Sequence, residues 1–332
     1  MSLPPLGDLL DGMRVVSLPL RIRFRGVDHR EAVLFQGPAG WGEFGPFLEY
    51  GTAEASRWLA AAVEAAWEGW PDPVRSEIPV NATLPAVAPD AVAAVLARYD
   101  GCTTVKVKVA EPGQSLADDV DRVAATRAAV GPAVRIRVDA NAAWDVDEAY
   151  HRLGALAEYD LEYAEQPCPT VENLAELRAR LARNGIDVPI AADESIRKAE
   201  DPIRVAREHA ADIVVVKVPP LGGVRRALEI AAGCGLPAVV SSALDSSVGM
   251  AAGAALAAAL PELPYACGLG TVELLAADVA HDRLVPVAGH VPVRPAHADA
   301  DLLAAAEAAP DRVAWWRERV SAGHAYLSAA KC

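Results

Sequence analysis

Between residues 78 and 268 the chain alternates short apolar, β-branched runs with longer stretches of helical periodicity. The strand-like runs cover residues 78–83, 103–109, 134–139, 161–165, 188–192, 212–218, 238–242 and 264–268. Helical spacing lies between them. Leu116, Val120, Val123, Arg127 and Val130 share a face, with Ser115 and Asp118 as a capping pair. Leu174, Leu177 and Leu181 form a second apolar stripe, with Thr170 placed as its N-cap. Eight strands with seven intervening helices have the rhythm of a parallel α/β barrel, and a doubly wound open sheet is the competing arrangement.

The flanking regions follow a different pattern. Residues 14–25 and 31–43 alternate as strands joined around Gly26–Arg30, with Gly37-Pro38-Ala39-Gly40 as punctuation. Gly42-Glu43-Phe44-Gly45-Pro46-Phe47 reads as a glycine-framed loop displaying two aromatics, either closing over a ligand or packed as a plain hairpin. A helix over 52–67, with Trp58, Val63 and Trp67 on one face, ends before Pro71 and Pro73. After Gly270 the barrel rhythm stops, and 298–308 and 312–327 are helical, with Trp315 and Trp316 placed to pack on the first unit. The expected division is a capping unit over 1–77, a barrel over 78–270 and a returning tail over 271–332.

Composition narrows the function classes. The 332 residues carry a formal charge of −14, which argues against nucleic acid or anionic membrane as partners. The five cysteines (Cys102, Cys168, Cys234, Cys267, Cys332) form no Cys-x-x-Cys pair and no zinc-type cluster, as suits a reducing cytosol. The first twenty residues hold Asp8 and Asp11 and lack a basic start, making a poor signal peptide. The apolar run 248–260 is too short to span a bilayer. A cytoplasmic protein is the expectation, with a small-molecule carboxylate as partner. The oligomeric state is left open, a monomer being the expected form.

The chemistry lies at the strand ends. In Thr104-Val105-Lys106-Val107-Lys108-Val109, Lys106 and Lys108 share one face of an otherwise apolar strand, a costly placement unless carboxylates, a metal or a substrate lie opposite. Later runs end in Asp139, Glu165, Asp193-Glu194 and Lys217. Barrel active sites form at these C-terminal strand ends. A polar residue at one strand end is commonplace, but five successive charged ends of both signs point to a site. Asp139, Glu165 and Asp193 are hard oxygen donors suited to Mg²⁺ or Mn²⁺ better than zinc. Asn141 shares a face with Asp139 and could orient a ligand, whereas Glu194 points away from Asp193 in extended backbone. A lysine acts as base only when neutral, and Lys106, Lys217 and a divalent cation around Lys108 would all disfavour its ammonium. Together these parts fit proton abstraction beside a carboxylate. Ser241 to Gly249 reads as a helix start offering backbone N–H groups to an anion, with an ordinary N-cap as the alternative. Gly222-Gly223 reads as a tight turn.

The order Lys-x-Lys, Asp-x-Asn, Glu-Gln-Pro, Asp-Glu-Ser, Lys resembles the enolase superfamily, muconate-lactonising subgroup. Asp139-Ala140-Asn141, Ala164-Glu165-Gln166-Pro167, Ala192-Asp193-Glu194-Ser195, Ser241 to Gly249 and Gly268-Leu269-Gly270-Thr271 are most similar to the o-succinylbenzoate synthase family. That resemblance implies a modified (β/α)7β barrel with an α+β capping domain completed by the tail. It implies Lys108 as base, Mg²⁺ on Asp139, Glu165 and Asp193, and Lys217 on the opposite face of the ring, with Lys106 beside the base. Ser241, Ser242, Gly268 and Leu269 fall in the stretches that would bind substrate, and Asn141 and Glu194 behind the metal ligands. The implied reaction is a dehydration yielding 2-succinylbenzoate in menaquinone biosynthesis. N-acylamino acid racemases and dipeptide epimerases would share every one of these residues, a cycloisomerase is a third reading, and a non-catalytic acid-binding barrel a fourth.

Overall fold

The computed structural model describes residues 3–24, 26–198 and 201–330; residue 25 of the first expected strand, and Cys332, lie outside the described residues. Strands β1 (Arg14–Phe24), β2 (Val27–Gly37) and β3 (Gly40–Phe44) form an antiparallel sheet. Pairing runs from Arg14 opposite Leu34 to Phe24 opposite Val27, so the first hairpin turns within two residues. The expected connection over 26–30 is therefore mostly strand. Gly26, at φ +77°, takes the left-handed conformation that such a tight turn needs.

Gly42, Glu43 and Phe44 likewise belong to β3 instead of a displayed loop. Gly42 lies flat on the Thr52–Val63 helix, where an added Cβ would stand 2.1 Å from the Ala62 carbonyl oxygen. Phe44 packs edge-on against Trp316, and Phe47 against Tyr50 and Trp58. Both aromatics thus build the core of this unit, the plain-hairpin reading of the stretch. The helix continues as a π-turn over Glu64–Glu68 and stops at Gly69, whose φ is +70°. The Pro310–Ala329 helix returns to cover it, as the two tail tryptophans lead one to expect. We call this composite unit the cap.

The barrel strands are β5 (Ala82–Leu84), β6 (Thr104–Lys108), β7 (Arg135–Asp139), β8 (Leu161–Glu165), β9 (Ile190–Ala192), β10 (Ile213–Val216) and β11 (Ala238–Val240), parallel and in chain order. Cys267 bridges to Val80 and Gly268 to Ser241, both in parallel sense, so this eighth stretch joins the two edges and closes the ring. The open-sheet alternative is excluded. The expected run 78–83 divides: β4 (Glu77–Pro79) pairs antiparallel with β12 (His290–Pro292), and β5 starts at Ala82. Pro79, which has no N–H to donate, stands at the break.

Both caps foreseen on the helices are present. Ser115 and Asp118 form a reciprocal capping box, and Thr170 Oγ1 accepts from Asn173 N at 3.1 Å. Leu174, Leu177 and Leu181 are buried against the sheet. The Leu116–Val130 helix also buries two charges that its apolar spacing does not reveal. Arg122 donates to Lys108 O at 3.0 Å and to Val87 O at 2.8 Å, while Asp119 accepts from Ala110 N at 3.1 Å. Together they fix the main chain at the end of β6. Among the described residues no helix is long and apolar enough to cross a membrane; the Ser247–Ala259 helix is buried on all sides because it packs between barrel and cap.

Candidate active site

Parallel register sets the charged residues side by side at the strand ends. Lys108 pairs with Asp139 across β6 and β7, and Asp139 with Glu165 across β7 and β8. Asp193 follows β9 and Lys217 follows β10. In a ring of eight, β6 and β10 are four strands apart, so Lys108 and Lys217 face each other across the mouth. All six groups are buried: the three carboxylates are at most 1% exposed and the three lysines between 6% and 9%.

Each ammonium has a carboxylate. Lys106 Nζ lies 3.0 Å from Glu165 and 3.1 Å from Asp139. Lys108 Nζ donates at 2.5 Å to Asp139 Oδ2 and at 2.5 Å to Asn141 Oδ1. Lys217 Nζ donates at 2.6 Å to Asp193 Oδ2, while Arg197 Nε reaches Asp193 Oδ1 at 3.2 Å. Gln166 Oε1 accepts from Asp193 N and Ser195 N, which turns the Asp193 side chain into the mouth. Glu194 points instead toward Arg197 and Asn141, and its Oε2 is buried without a hydrogen-bond partner among the described residues.

Electrostatics separates the three carboxylates. Burial opposes ionisation of Asp139, but Lys108 and Lys106 outweigh it and hold its carboxyl well below the usual range. For Asp193 burial is overcome by Lys217 and Arg197 in the same way. Glu165 goes in the other direction: burial and the neighbouring Asp139 charge push it up to about 7. Lys106 stands between Glu165 and Asp139, and Lys217 and Arg197 hold Asp193. The chemistry of the set nonetheless fits a hard divalent cation. The three carboxylates supply oxygen donors only, the ligand type such a cation takes. By contrast His281, Asp299 and Asp301 bring ligand atoms together on the protein surface, away from the mouth.

A small cavity opens over these groups, lined by Lys106, Lys108, Asp139, Asn141 and Lys217 together with Ser241, Ser242, Gly268 and Thr271. Of the residues read from the sequence, Leu269 lies apart from this lining: it is fully buried, with its side chain against Gly253. Three further residues line the cavity, of which only Thr271 falls in a stretch singled out in the sequence. Thr83 Oγ1 is buried beside Lys106 with no hydrogen-bond partner among the described residues. Thr271 shares a 2.6 Å hydrogen bond with Ser242. Phe24, at the tip of the cap hairpin, sets its ring 5.4 Å from Lys108 Nζ. For Thr83 the only hint was strand alternation, which puts it on the face opposite Ala82.

The helix start after Ser241 does hold an anion, but one from this chain. Ser246 is the N-cap, and the Glu43 carboxylate of the cap accepts from Ser246 N and Gly249 N. A substrate carboxylate is therefore left to the groups that line the cavity itself.

Residues 15–66 match the family described as enolase N-terminal domain-like, and residues 90–297 the family described as enolase C-terminal domain-like. The chain is 58% identical over 312 residues to an o-succinylbenzoate synthase of Thermobifida fusca, covering 94% of this chain and 96% of the relative. It is also 58% identical over 327 residues to one of Mycolicibacterium smegmatis, covering 98% and 99%. Among solved structures it resembles a muconate lactonizing enzyme from Pseudomonas fluorescens complexed with muconolactone, with a TM-score of 0.76 at 22% identity over 90% of this chain and 98% of that one. With fold, domain matches and near full-length relatives in agreement, the chain belongs to the o-succinylbenzoate synthase family of the enolase superfamily.

Proposed function

We propose that this protein is a cytoplasmic, Mg²⁺-dependent dehydratase, with Mn²⁺ able to substitute, that converts 2-succinyl-6-hydroxy-2,4-cyclohexadiene-1-carboxylate to 2-succinylbenzoate in menaquinone biosynthesis. The observation that carries this reading is the placement of Lys108 and Lys217 on opposite sides of one small cavity, each tied to its own buried carboxylate. Four cationic side chains (Lys106, Lys108, Arg197, Lys217) face four anionic ones (Asp139, Glu165, Asp193, Glu194). The set is balanced by itself, so a divalent cation and a dianionic substrate enter as a neutral pair.

Enolase-superfamily enzymes are metal-dependent. Asp139, Glu165 and Asp193 would hold the cation, which would polarise the substrate carboxylate. Lys108, held toward the cavity by Asp139 and Asn141, takes the proton from the ring carbon that bears the carboxylate. Asn141 keeps its Nζ oriented. Lys217 stays protonated on the far face and stabilises the negative charge that spreads onto the carboxylate. Lys106, between Glu165 and Asp139, adds positive charge on the near side. Lys108 then returns its proton to the departing hydroxyl of the adjacent carbon, so the step yields water and the aromatic ring, and the base is restored.

A second reading rests on the same geometry. Two lysines on opposite faces also suit the two-sided proton transfer of an N-acylamino acid racemase or dipeptide epimerase. The short connection between β1 and β2, where acylamino acid racemases usually carry a longer loop, favours the dehydratase. The test is a spectroscopic assay of aromatisation with the cyclohexadiene acid, run beside a panel of N-acyl amino acids in deuterated water. We expect the dehydratase kcat/KM to exceed any racemase value by a wide margin. Rapid exchange at the α-carbon of an acylamino acid with weak aromatisation would overturn the assignment.

A further inference from the structure

Three glycine-bearing stretches that stand out in the sequence, around Gly42–Gly45, Gly222-Gly223 and Ser246–Gly249, take no part in the chemistry described above. In the fold the first meets the third, and Gly222-Gly223 meets Glu64 at the end of the cap helix. Glu43 of β3 sits at the N-terminus of the Ser247–Ala259 helix, accepting from Ser246 N at 3.1 Å, from Gly249 N at 3.2 Å and from Ser246 Oγ. Glu64, at the end of the cap helix, does the same for the Val224–Cys234 helix. It accepts from Val224 N, from Arg225 N at 3.2 Å and from the Arg225 guanidinium at 3.0 Å. Both glutamates are at least nine-tenths buried.

The barrel is cut to receive them. A Cβ on Gly223 would stand 2.4 Å from Glu64 Oε2. A Cβ on Gly249 would stand 3.0 Å from the Glu43 carboxyl carbon and 2.7 Å from Asp245 Cβ. Each helix follows a strand that supplies one wall of the cavity: Lys217 precedes the first, and Ser241 to Leu244 precede the second. The Glu43 junction is the more intimate of the two. Arg30, also from the cap, donates to Leu244 O at 3.1 Å, and Ala243 N is held by Asp245 Oδ2 at 2.8 Å. Leu244 itself is strained, with φ at +65°. A non-glycine residue in that conformation persists only where its surroundings enforce it.

We propose that Glu43 and Glu64 are positioning residues that seat the cap on the barrel by occupying these two helix N-termini, and that Glu43 in particular holds the Ala243–Leu244 wall in the shape the substrate requires. The helix ends that could have served a ligand anion are used for domain docking. The catalytic consequence rests on the function proposed above, whereas the docking itself does not.

The test compares Glu43→Ala, Glu43→Gln and Glu64→Ala by amide hydrogen exchange and by steady-state kinetics with the cyclohexadiene acid. For Glu43→Ala we expect exchange over residues 243–249 to quicken about tenfold or more against an unchanged barrel core. KM should rise about tenfold and kcat should stay within about threefold. Glu43→Gln, which keeps an acceptor for the helix N–H groups, should recover most of both effects. Glu64→Ala should free residues 223–226 and leave KM near the parent value. If Glu43→Ala does not fold, Ser246→Ala removes one donor from the same junction and is read on the same amides. Unchanged exchange over 243–249, or quickening spread evenly through the chain, would overturn the proposal. A parent protein inactive toward the cyclohexadiene acid would overturn only the function, since the exchange measurement stands without it.

Discussion

Two pairs of buried carboxylates, one at the barrel mouth and one where the cap meets the barrel, respond differently to burial. Asp139 and Asp193 at the barrel mouth are held well below the usual carboxylate range, because burial is outweighed by lysines in direct contact. Glu43 and Asp245, under the cap, are pushed up: Glu43 to about 7, because burial and the Asp245 charge outweigh the hydrogen bonds of Ser246 and the charge of Arg30, and Asp245 because burial outweighs the hydrogen bond of Ala243 and the charges of Arg30 and Lys217. Depth is the same in both places. The mouth carboxylates face full positive charges at hydrogen-bond distance, whereas the junction carboxylates face mainly N–H dipoles, which satisfy lone pairs without balancing the charge. Glu165 is the intermediate case: it shares Lys106 with Asp139 and goes up to about 7. The mouth is therefore an ionic assembly from which a cation could displace lysines, and the junction is a polar joint.

The strongest way to break the contrast is to remove a lysine from the mouth. Lys108→Ala should lower kcat by roughly 10²- to 10⁴-fold, the usual contribution of a general base. Lys108→Arg should do little better, since guanidinium is not deprotonated at working pH. Near-native kcat in either variant would show that another group takes the proton.

The next effect concerns the metal. Asp193→Asn should weaken divalent cation binding, followed by calorimetry, far more than Glu194→Gln, for which about 10- to 100-fold is the scale of a supporting residue. Equal losses would mean that both side chains are ligands. Activity should vanish on chelation and return with Mg²⁺ or Mn²⁺.

A smaller effect separates the two pairs by pH. A carboxyl whose folded pKa is raised binds its proton more tightly when folded, so the stability it lends is present below pH 4.5 and is lost as pH rises to about 7. Asp139 and Asp193 have the opposite sign: their contribution is present above the ordinary carboxylate range and lost on acidification. Melting curves at pH 5 and pH 8 should show the parent losing a few °C relative to Glu43→Gln on going to the higher pH. A constant difference would mean that Glu43 is not raised. The smallest change expected is for Thr83→Val. One lost hydrogen bond to substrate corresponds to a KM increase of about fivefold, and Tm should not fall, because the hydroxyl removed had no partner.

The legible part of this protein is the part governed by local rules. Two-residue alternation places Lys106 and Lys108 on one face, and the regular return of strands carries Asp139, Glu165, Asp193 and Lys217 to one end of a parallel barrel. The capping box at Ser115 and the N-cap at Thr170 needed no more than three residues of context. Several boundaries were missed for equally local reasons: Gly26 closes the first hairpin more tightly than its neighbours suggest, and Pro79 divides a run that looks continuous.

What only the tertiary structure decided are contacts between residues far apart in the chain. Glu43 meets Gly249 across 206 positions, and Glu64 meets Val224 across 160. Nothing in the glycine at 249 announces that a carboxylate from another unit will lie against it, because a glycine records the absence of a side chain and not the identity of what fills the space. The same holds for the unpartnered hydroxyl of Thr83, for Arg122 reaching the Lys108 carbonyl, and for Phe24 coming to rest beside Lys108. Sequence periodicity determines which way a side chain faces; what it meets there depends on how the cap is laid on the barrel.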